Sequence, residues 1–359
     1  MPPRRVGPYE IVSVIGRGGI GTVYRARHRD TGELAAVKVL GPAPAVDATA
    51  ARRLAREYEV LRSLDHPNVV RVLDAGVHEG YSFLAMELVE GLDLRRYLSP
   101  VIDEGPLSDP SYDALDAFSG SATPSHEERG TDAILALAAM MDEPETEPEG
   151  YPRATLDAGG GPEPSTPPSY AISPEVREAL NRPARIVRLR AALVQVADAL
   201  AYVHGRGLVH RDIKPTNIMV DDRRVARLMD FGLVRAANDG QASLTATGRV
   251  VGTYRYMSPE QAQGKPVDPR SDLYSLGVIL YELLAGVPPF AASEPVGLWR
   301  QILTARPVPI ATWNPGADPA LARLAEALLE KDPDRRPRSA EEVADVLTHG
   351  SLPSAGASL

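Results

Sequence analysis

Between Tyr9 and Leu40 the β-branched residues Ile11, Val12, Val14, Ile15, Val23, Val37 and Val39 surround a glycine-rich break, a pattern that predicts strand, glycine turn, strand and strand. The period then changes. From Ala48 to Asp65, Leu54, Tyr58, Leu61 and Leu64 recur at helical spacing with charged residues between them, so one helix packs by one face. Further strands are expected around Val69 to Asp74 and Tyr81 to Val89. The N-terminal part therefore reads as a small, mostly β lobe.

Helical periodicity returns from Arg185 to His204, where Ile186, Leu189, Leu193, Val196, Leu200 and Val203 form one stripe after a helix-starting Pro183. Leu273 to Leu284 and Leu321 to Leu329 predict two more apolar helices, with Pro307, Pro309, Pro315 and Pro319 marking a loop between them. The last residues, from Gly350 to Leu359, are expected to fray.

Between the two periodic regions, Pro100 to about Arg182 is rich in Pro, Ser, Gly and Glu and cannot bury enough apolar area to offset its ordering entropy. Thr131 to Glu143 is the exception, because Ile134, Leu137, Ala138 and Met141 make a short helical stripe. Two roles stay open for this tract: a disordered linker, or an interaction segment that docks a partner. The resulting division is an extension at 1–8, a lobe at 9–90, a second lobe at 91–349 interrupted at about 100–182, and a tail at 350–359.

Composition narrows the class. A chain of 359 residues with 43% hydrophobic content suits two lobes with their own cores. The longest apolar stretches, such as Leu276 to Leu280, fall far short of the roughly 20 residues a membrane span needs, and no apolar signal core follows Arg4-Arg5. No transmembrane segment is expected, and a cytoplasmic location is. The absence of cysteine excludes disulfides, thiolate metal sites and cysteine nucleophiles. The net charge is -9, yet Pro100 to Ala184 alone carries -13, leaving +4 for the rest; no basic nucleic-acid footprint is present. Only four lysines (Lys38, Lys214, Lys265, Lys331) accompany 35 arginines, which marks each lysine as a candidate for a specific role.

Two of those lysines sit in chemical motifs. His210-Arg211-Asp212-Ile213-Lys214-Pro215-Thr216-Asn217, followed by Asp230-Phe231-Gly232, places a base, a cation and two oxygen ligands in one short stretch. Gly16, Gly18 and Gly21 with Val23 form G-x-G-x-x-G-x-V between two strands, and Lys38 follows in an apolar strand. By itself a glycine triplet is more often a turn. Together and in this order, the motifs resemble those of the bacterial eukaryotic-type (Hanks-type) serine/threonine protein kinases, and the resemblance covers most of the chain.

That resemblance implies an α+β, two-lobed protein kinase fold, with a small, mostly antiparallel β N-lobe carrying one helix and a larger helical C-lobe. It implies ATP and Mg2+ as cofactors and protein hydroxyls as acceptors. Asp212 would accept the hydroxyl proton, Lys214 would neutralise the transferring phosphoryl group, and Asn217 and Asp230 would be the metal ligands. Lys38 would hold the α- and β-phosphates, partnered by Glu57, with Glu59 a competitor on another helix face. Gly16, Gly18 and Gly21 would cover the phosphates. Val23, Ala36 and Met219 would sandwich adenine, Met86 would set the pocket depth, and Glu87 and Val89 would offer backbone groups.

The stretch from Asp230 to Glu260 resembles an activation segment. Its end, Gly252 to Glu260, is the peptide-docking part, in which Thr253 would bond toward Asp212 and Lys214, Ser258 replaces the commoner alanine, and Glu260 would pair with Arg336. Thr245 and Thr247 are the autophosphorylation candidates, and Arg211 would bind the phosphate bidentately. Asp272 would hold the catalytic loop's backbone, while His210, Phe231 and Leu61 would stack between the lobes. Homodimerisation for phosphorylation in trans is a further expectation. The alternatives are a nucleotide-binding pseudokinase scaffold, opposed by the complete set Lys38, Asp212, Asn217 and Asp230, and a small-molecule phosphotransferase, opposed by the peptide-docking stretch.

Overall fold

In the computed structural model the described residues are 3–18, 21–42, 58–99, 172–230, 254–292 and 295–350. The strands β1 (Arg5–Val6), β2 (Tyr9–Gly18), β3 (Gly21–His28), β4 (Leu34–Pro42), β5 (Val72–His78) and β6 (Tyr81–Glu87) form one antiparallel sheet in the order β1-β2-β3-β4-β6-β5. β1 lies in the stretch read as an extension: Val6 pairs with Tyr9 and is buried with it beneath the sheet. Alternation divides the faces. Ala35, Val37, Phe83 and Ala85 fill one core, while Ala36 and Met86, one position out of phase, pack on the other side with Val23. Of the helix expected over Ala48 to Asp65, residues 58–62 are helical and bury Leu61; 43–57 lie outside the described residues.

Residues 68–70 tie this sheet to the second lobe. The Leu228 N–H donates to the Asn68 carbonyl (2.8 Å) and the Val70 N–H to the Leu228 carbonyl (2.9 Å). Leu228 ends β9 (Ala226–Leu228), which pairs with β8 (Ile218–Asp221), itself paired with β7 (Gly91–Asp93). The helices are α1 (Leu94–Tyr97), α2 (Pro174–Leu180), α3 (Pro183–His204), α4 (Pro259–Ala262), α5 (Pro269–Ala285), α6 (Pro295–Thr304), α7 (Ile310–Trp313), α8 (Pro319–Leu328) and α9 (Ala340–His349). α3 and α5 are the axis of the helical core: α3 buries Leu189, Leu193, Val196, Leu200 and Val203, and α5 is buried along nearly its whole length.

The α5–α8 contact depends on a glycine. A Cβ added at Gly277 would sit 2.6 Å from Leu328 Cβ and 3.2 Å from its carbonyl carbon. Gly277→Ala is therefore expected to cost about 1–3 kcal/mol as an overpacked core, read as a lower urea midpoint; an unchanged midpoint would mean the helices separate freely.

Three departures from the sequence reading have simple causes. α6 and α7 occupy the span read as a proline-marked loop, because Pro295 and Pro309 start helices, where a missing N–H costs nothing, instead of breaking them. α2 lies inside the tract bounded at about 100–182: Leu180 is buried, and Asn181 exchanges side-chain hydrogen bonds of 2.7 and 2.9 Å with Asn314. The composition of the whole tract masked this apolar end. Lys331 proves to be a packing residue: its ammonium lies 4.0 Å from the Phe290 ring centre and donates to the Ile302 carbonyl at 2.6 Å, and burial, helped by Arg336, pushes it down to about 7.

Arg185 is buried with no carboxylate paired to it among the described residues. Its Nε donates to the Leu98 carbonyl (2.8 Å), Nη1 to Leu180 (2.9 Å) and Nη2 to Leu283 (2.9 Å). Each acceptor is at or beside a helix C-terminus, where carbonyls lack intrahelical partners and carry partial negative charge. Among the described residues no helix is long and apolar enough to cross a membrane.

Candidate active site

α3 delivers the chain to the loop His210 to Asn217, and α5 fixes that loop. Asp272, in the first turn of α5 and 1% exposed, accepts from the His210 N–H and the Arg211 N–H, both at 2.8 Å, and its Oδ2 lies 2.8 Å from His204 Nε2. The scaffold role expected of Asp272 is thus present. Arg211 and Asp230 adopt φ of +67° and +59°, a costly region for residues with a Cβ that persists where surrounding bonds dictate it. His210 is one of those supports. Its Nδ1 accepts from the Asp212 N–H at 3.3 Å, so Nε2 carries the proton and donates to the Met229 carbonyl at 3.0 Å. Burial pushes this imidazole down, outweighing Asp272 and Asp212, and leaves it a neutral strut.

The side chains of the loop converge on Asp212. Lys214 Nζ lies 2.7 Å from Asp212 Oδ2, and Asn217 Nδ2 donates to the Asp212 carbonyl (2.8 Å) and to Oδ2 (3.0 Å). Asn217 sits on a short 3-10 turn, Pro215–Asn217, and its carbonyl accepts from the Met229 N–H at 2.9 Å, which sets Asp230 beside it. Asp230 Oδ2 in turn pairs with Lys38 Nζ at 2.9 Å. Asp212, Lys214, Lys38 and Asp230 keep side chains 16–22% exposed, so the four charges line a wet cleft and are not locked in a dry core.

The pairing of Lys38 with Asp230 is the one the described residues show. Glu57, Thr253, Phe231, Thr245 and Thr247 lie outside them. Above the cleft, Gly16 pairs with Val23 and Gly18 with Gly21 in the β2–β3 hairpin, and the space over Gly16 is open, since an added Cβ would meet nothing within 4 Å. Val23, Ala36, Met86 and Val89 share one apolar cluster with Val70, Leu84, Leu88 and Met229. Met219 is half-buried on β8, outside that cluster. The Glu87 N–H is committed to the Arg71 carbonyl at 2.9 Å, which leaves its carbonyl as the group to offer.

Sequence reasoning missed Met229, although an apolar residue directly before Asp230 was its signal. It also missed Gln261. Ser258 caps α4 by accepting from the Gln261 N–H (3.3 Å) while Gln261 Oε1 accepts from the Ser258 N–H (3.0 Å), and Gln261 Nε2 reaches the Arg211 carbonyl at 2.9 Å. This capping box was legible as Ser-x-x-Gln, and it explains why serine serves at 258. Beside it, the expected clamp is present: Arg336 donates to both oxygens of Glu260, at 2.7 and 2.9 Å, and the Ser271 hydroxyl adds a bond of 2.6 Å. Burial would push the Glu260 carboxyl up; Arg336 and Ser271 override it and hold it at about 2.

A β lobe and a helical lobe, with a glycine hairpin over a cleft of lysine, aspartate and asparagine, define the architecture of a phosphotransferase of the kinase type. Comparison agrees. Residues 9–346 match the family model of protein tyrosine and serine/threonine kinases. The chain is 34% identical over 343 residues to the serine/threonine-protein kinase pkn3 of Myxococcus xanthus, covering 93% of this chain and 48% of that one. With the serine/threonine-protein kinase PknB of Mycolicibacterium smegmatis it shares 31% identity over 358 residues, 97% of this chain and 44% of that one. The chain thus spans about half the length of these curated relatives. The crystal structure of the Mycobacterium tuberculosis PknI kinase domain shares the fold, with a TM-score of 0.57 at 24% identity and 97% coverage of both chains. The chain belongs to the protein kinase family, whose members use ATP and a divalent metal ion.

Proposed function

We propose that this chain is a serine/threonine protein kinase acting in the cytoplasm on protein hydroxyls. The observation that carries the reading is the fixing of Asp212: a lysine and an asparagine two and five residues on bind its carboxylate, and the same asparagine's carbonyl accepts from the N–H of Met229, the residue before Asp230. In this reading Asp212 takes the proton of the acceptor hydroxyl, Lys214 neutralises charge on the transferring phosphoryl group, and Lys38, partnered by Glu57, orients the nucleotide phosphates. Thr253 orients Asp212 and Lys214.

Asp230 and Asn217 would hold magnesium, which supplies charge neutralisation at the phosphates. One carboxylate and one carboxamide suit an ion that keeps several waters and takes its other ligands from phosphate. Among the described residues no cluster of three or more His, Cys, Asp or Glu side chains offers a denser metal cage. Thr245 and Thr247 are the autophosphorylation sites, read by Arg211. The tract at 100–182 docks a protein partner, and a second copy of the chain serves as acceptor in trans.

Labelled Mg-ATP tests this. The wild-type chain is expected to incorporate phosphate at Thr245 or Thr247 and to label a basic protein acceptor on serine or threonine, with Lys38→Met reducing both at least tenfold. Nucleotide binding with no incorporation into either would favour the scaffold reading instead.

A further inference from the structure

Tyr256 lies in the stretch 252–260 and is 8% exposed. Its hydroxyl donates to Glu282 Oε2 at 2.8 Å, and its carbonyl accepts from the Ser275 hydroxyl at 2.7 Å, so α5 holds the residue by both ends. A third residue completes the group from a distant part of the chain. Arg95 Nη2 donates to the Tyr256 hydroxyl at 2.8 Å and to Glu282 Oε1 at 2.6 Å. The charge distribution is uneven: the Glu282 side chain is 15% exposed and the Arg95 side chain 45%. A largely dehydrated carboxylate is thus balanced by a cation that reaches it from solvent, and no other cation pairs with Glu282 among the described residues.

Arg95 is carried on α1, whose end is fixed by the buried guanidinium of Arg185: the Leu98 carbonyl and the Leu283 carbonyl, one residue beyond Glu282, both accept from it. The last turn of α5 therefore receives two arginine links, Arg185 at the Leu283 carbonyl and Arg95 at the Glu282 carboxylate. Only the second also reaches Tyr256. Loss of Arg95 would leave the Glu282 carboxylate facing the tyrosine hydroxyl alone, and the segment around Tyr256 would lose one of its fixed points without any change at Asp212, Lys214 or Lys38.

We infer that Arg95 is a positioning residue for the protein acceptor: through Glu282 and the Tyr256 hydroxyl it sets the part of the chain on which the acceptor peptide lies. The inference rests on the reading of 252–260 as the peptide-docking stretch. It separates acceptor binding from nucleotide use, because Arg95 touches none of the groups assigned to phosphate or metal.

The test is steady-state kinetics of the full chain with a basic protein acceptor, varying acceptor and ATP independently. Arg95→Ala is expected to raise the acceptor KM about tenfold, as for loss of a charge-assisted hydrogen bond, with ATP KM and kcat at saturating acceptor within about twofold. Arg95→Lys, which keeps the charge on a shorter side chain without the planar guanidinium, falls between. Tyr256→Phe raises the acceptor KM as well, and the double variant Arg95→Ala/Tyr256→Phe raises it no further than the larger single effect. An unchanged acceptor KM, a fall in kcat at constant KM, or additive effects in the double variant would overturn the inference. Should Arg95→Ala fail to fold, Arg95→Lys and Tyr256→Phe, which preserve the packing, decide by the same readouts. A wild-type chain that labels no acceptor removes the peptide-docking reading and this inference with it; one that labels the acceptor while Arg95 variants match it removes the inference alone.

Discussion

Asp212→Asn is expected to lower phosphate transfer by about 10²–10⁴-fold, the range for loss of a positioned general base. The substitution is close to isosteric. Asn217 still donates to the backbone carbonyl of residue 212, and Asp272 still holds the N–H groups of His210 and Arg211, so the loop keeps its shape. What disappears is the proton acceptor and the counter-charge of Lys214. Nucleotide affinity, measured by calorimetry with Mg-ATP, is expected to stay within about twofold, since the nucleotide phosphates are assigned to Lys38 and their magnesium to Asp230 and Asn217. Single-turnover transfer within tenfold of wild type would remove Asp212 from the role of base.

Arg336→Ala is expected to carry the largest stability loss, about 3–5 kcal/mol, the range for breaking one side of a buried ion pair. The Arg336 side chain has no exposure and serves more than Glu260: it donates to the carbonyls of Arg270, Glu330 and Lys331, and its guanidinium lies 4.9 Å from the Tyr274 ring centre. Removing it strands the Glu260 carboxylate with the Ser271 hydroxyl and opens the three carbonyls together. The same pair imposes a pH dependence. Because Glu260 is held at about 2, below its ordinary 4.5, its contribution is complete above about pH 4.5 and is lost as the pH falls toward 2. Urea midpoints at pH 7 and pH 3 are expected to show this loss in the wild type and less of it in Glu260→Gln. Equal pH dependence in both would place the acid sensitivity elsewhere.

Much of this architecture was legible because its signals are local. The glycines at 16, 18 and 21, the stripe on α3, and the spacing from His210 to Asn217 each express a strand, a helix or a turn within a few residues. Asp272 and the Glu260–Arg336 pair were legible through motif resemblance, although the pair joins residues 76 positions apart. The contacts of Arg95 with Tyr256 and Glu282 span 161 and 187 positions, and no period or motif announces them. Arg185 looked like one more charged residue at the start of an amphipathic helix; only the meeting of three helix ends shows why it is buried. Pro309, read as a loop marker, misled for a different reason, since proline both ends and begins helices and the sequence alone does not say which.

The guanidinium of Arg185 also bears on how this chain tolerates change in length. Leu98 and Leu180 flank residues 100–171, and their carbonyls bind two nitrogens of one planar group, so the two points where the chain leaves and rejoins the lobe are neighbours in space. Closing a loop between neighbouring ends costs entropy that grows only logarithmically with its length, about 0.6 kcal/mol for each doubling. Lengthening or shortening this tract is therefore expected to leave the stability of the lobes almost unchanged, read as an unmoved urea midpoint.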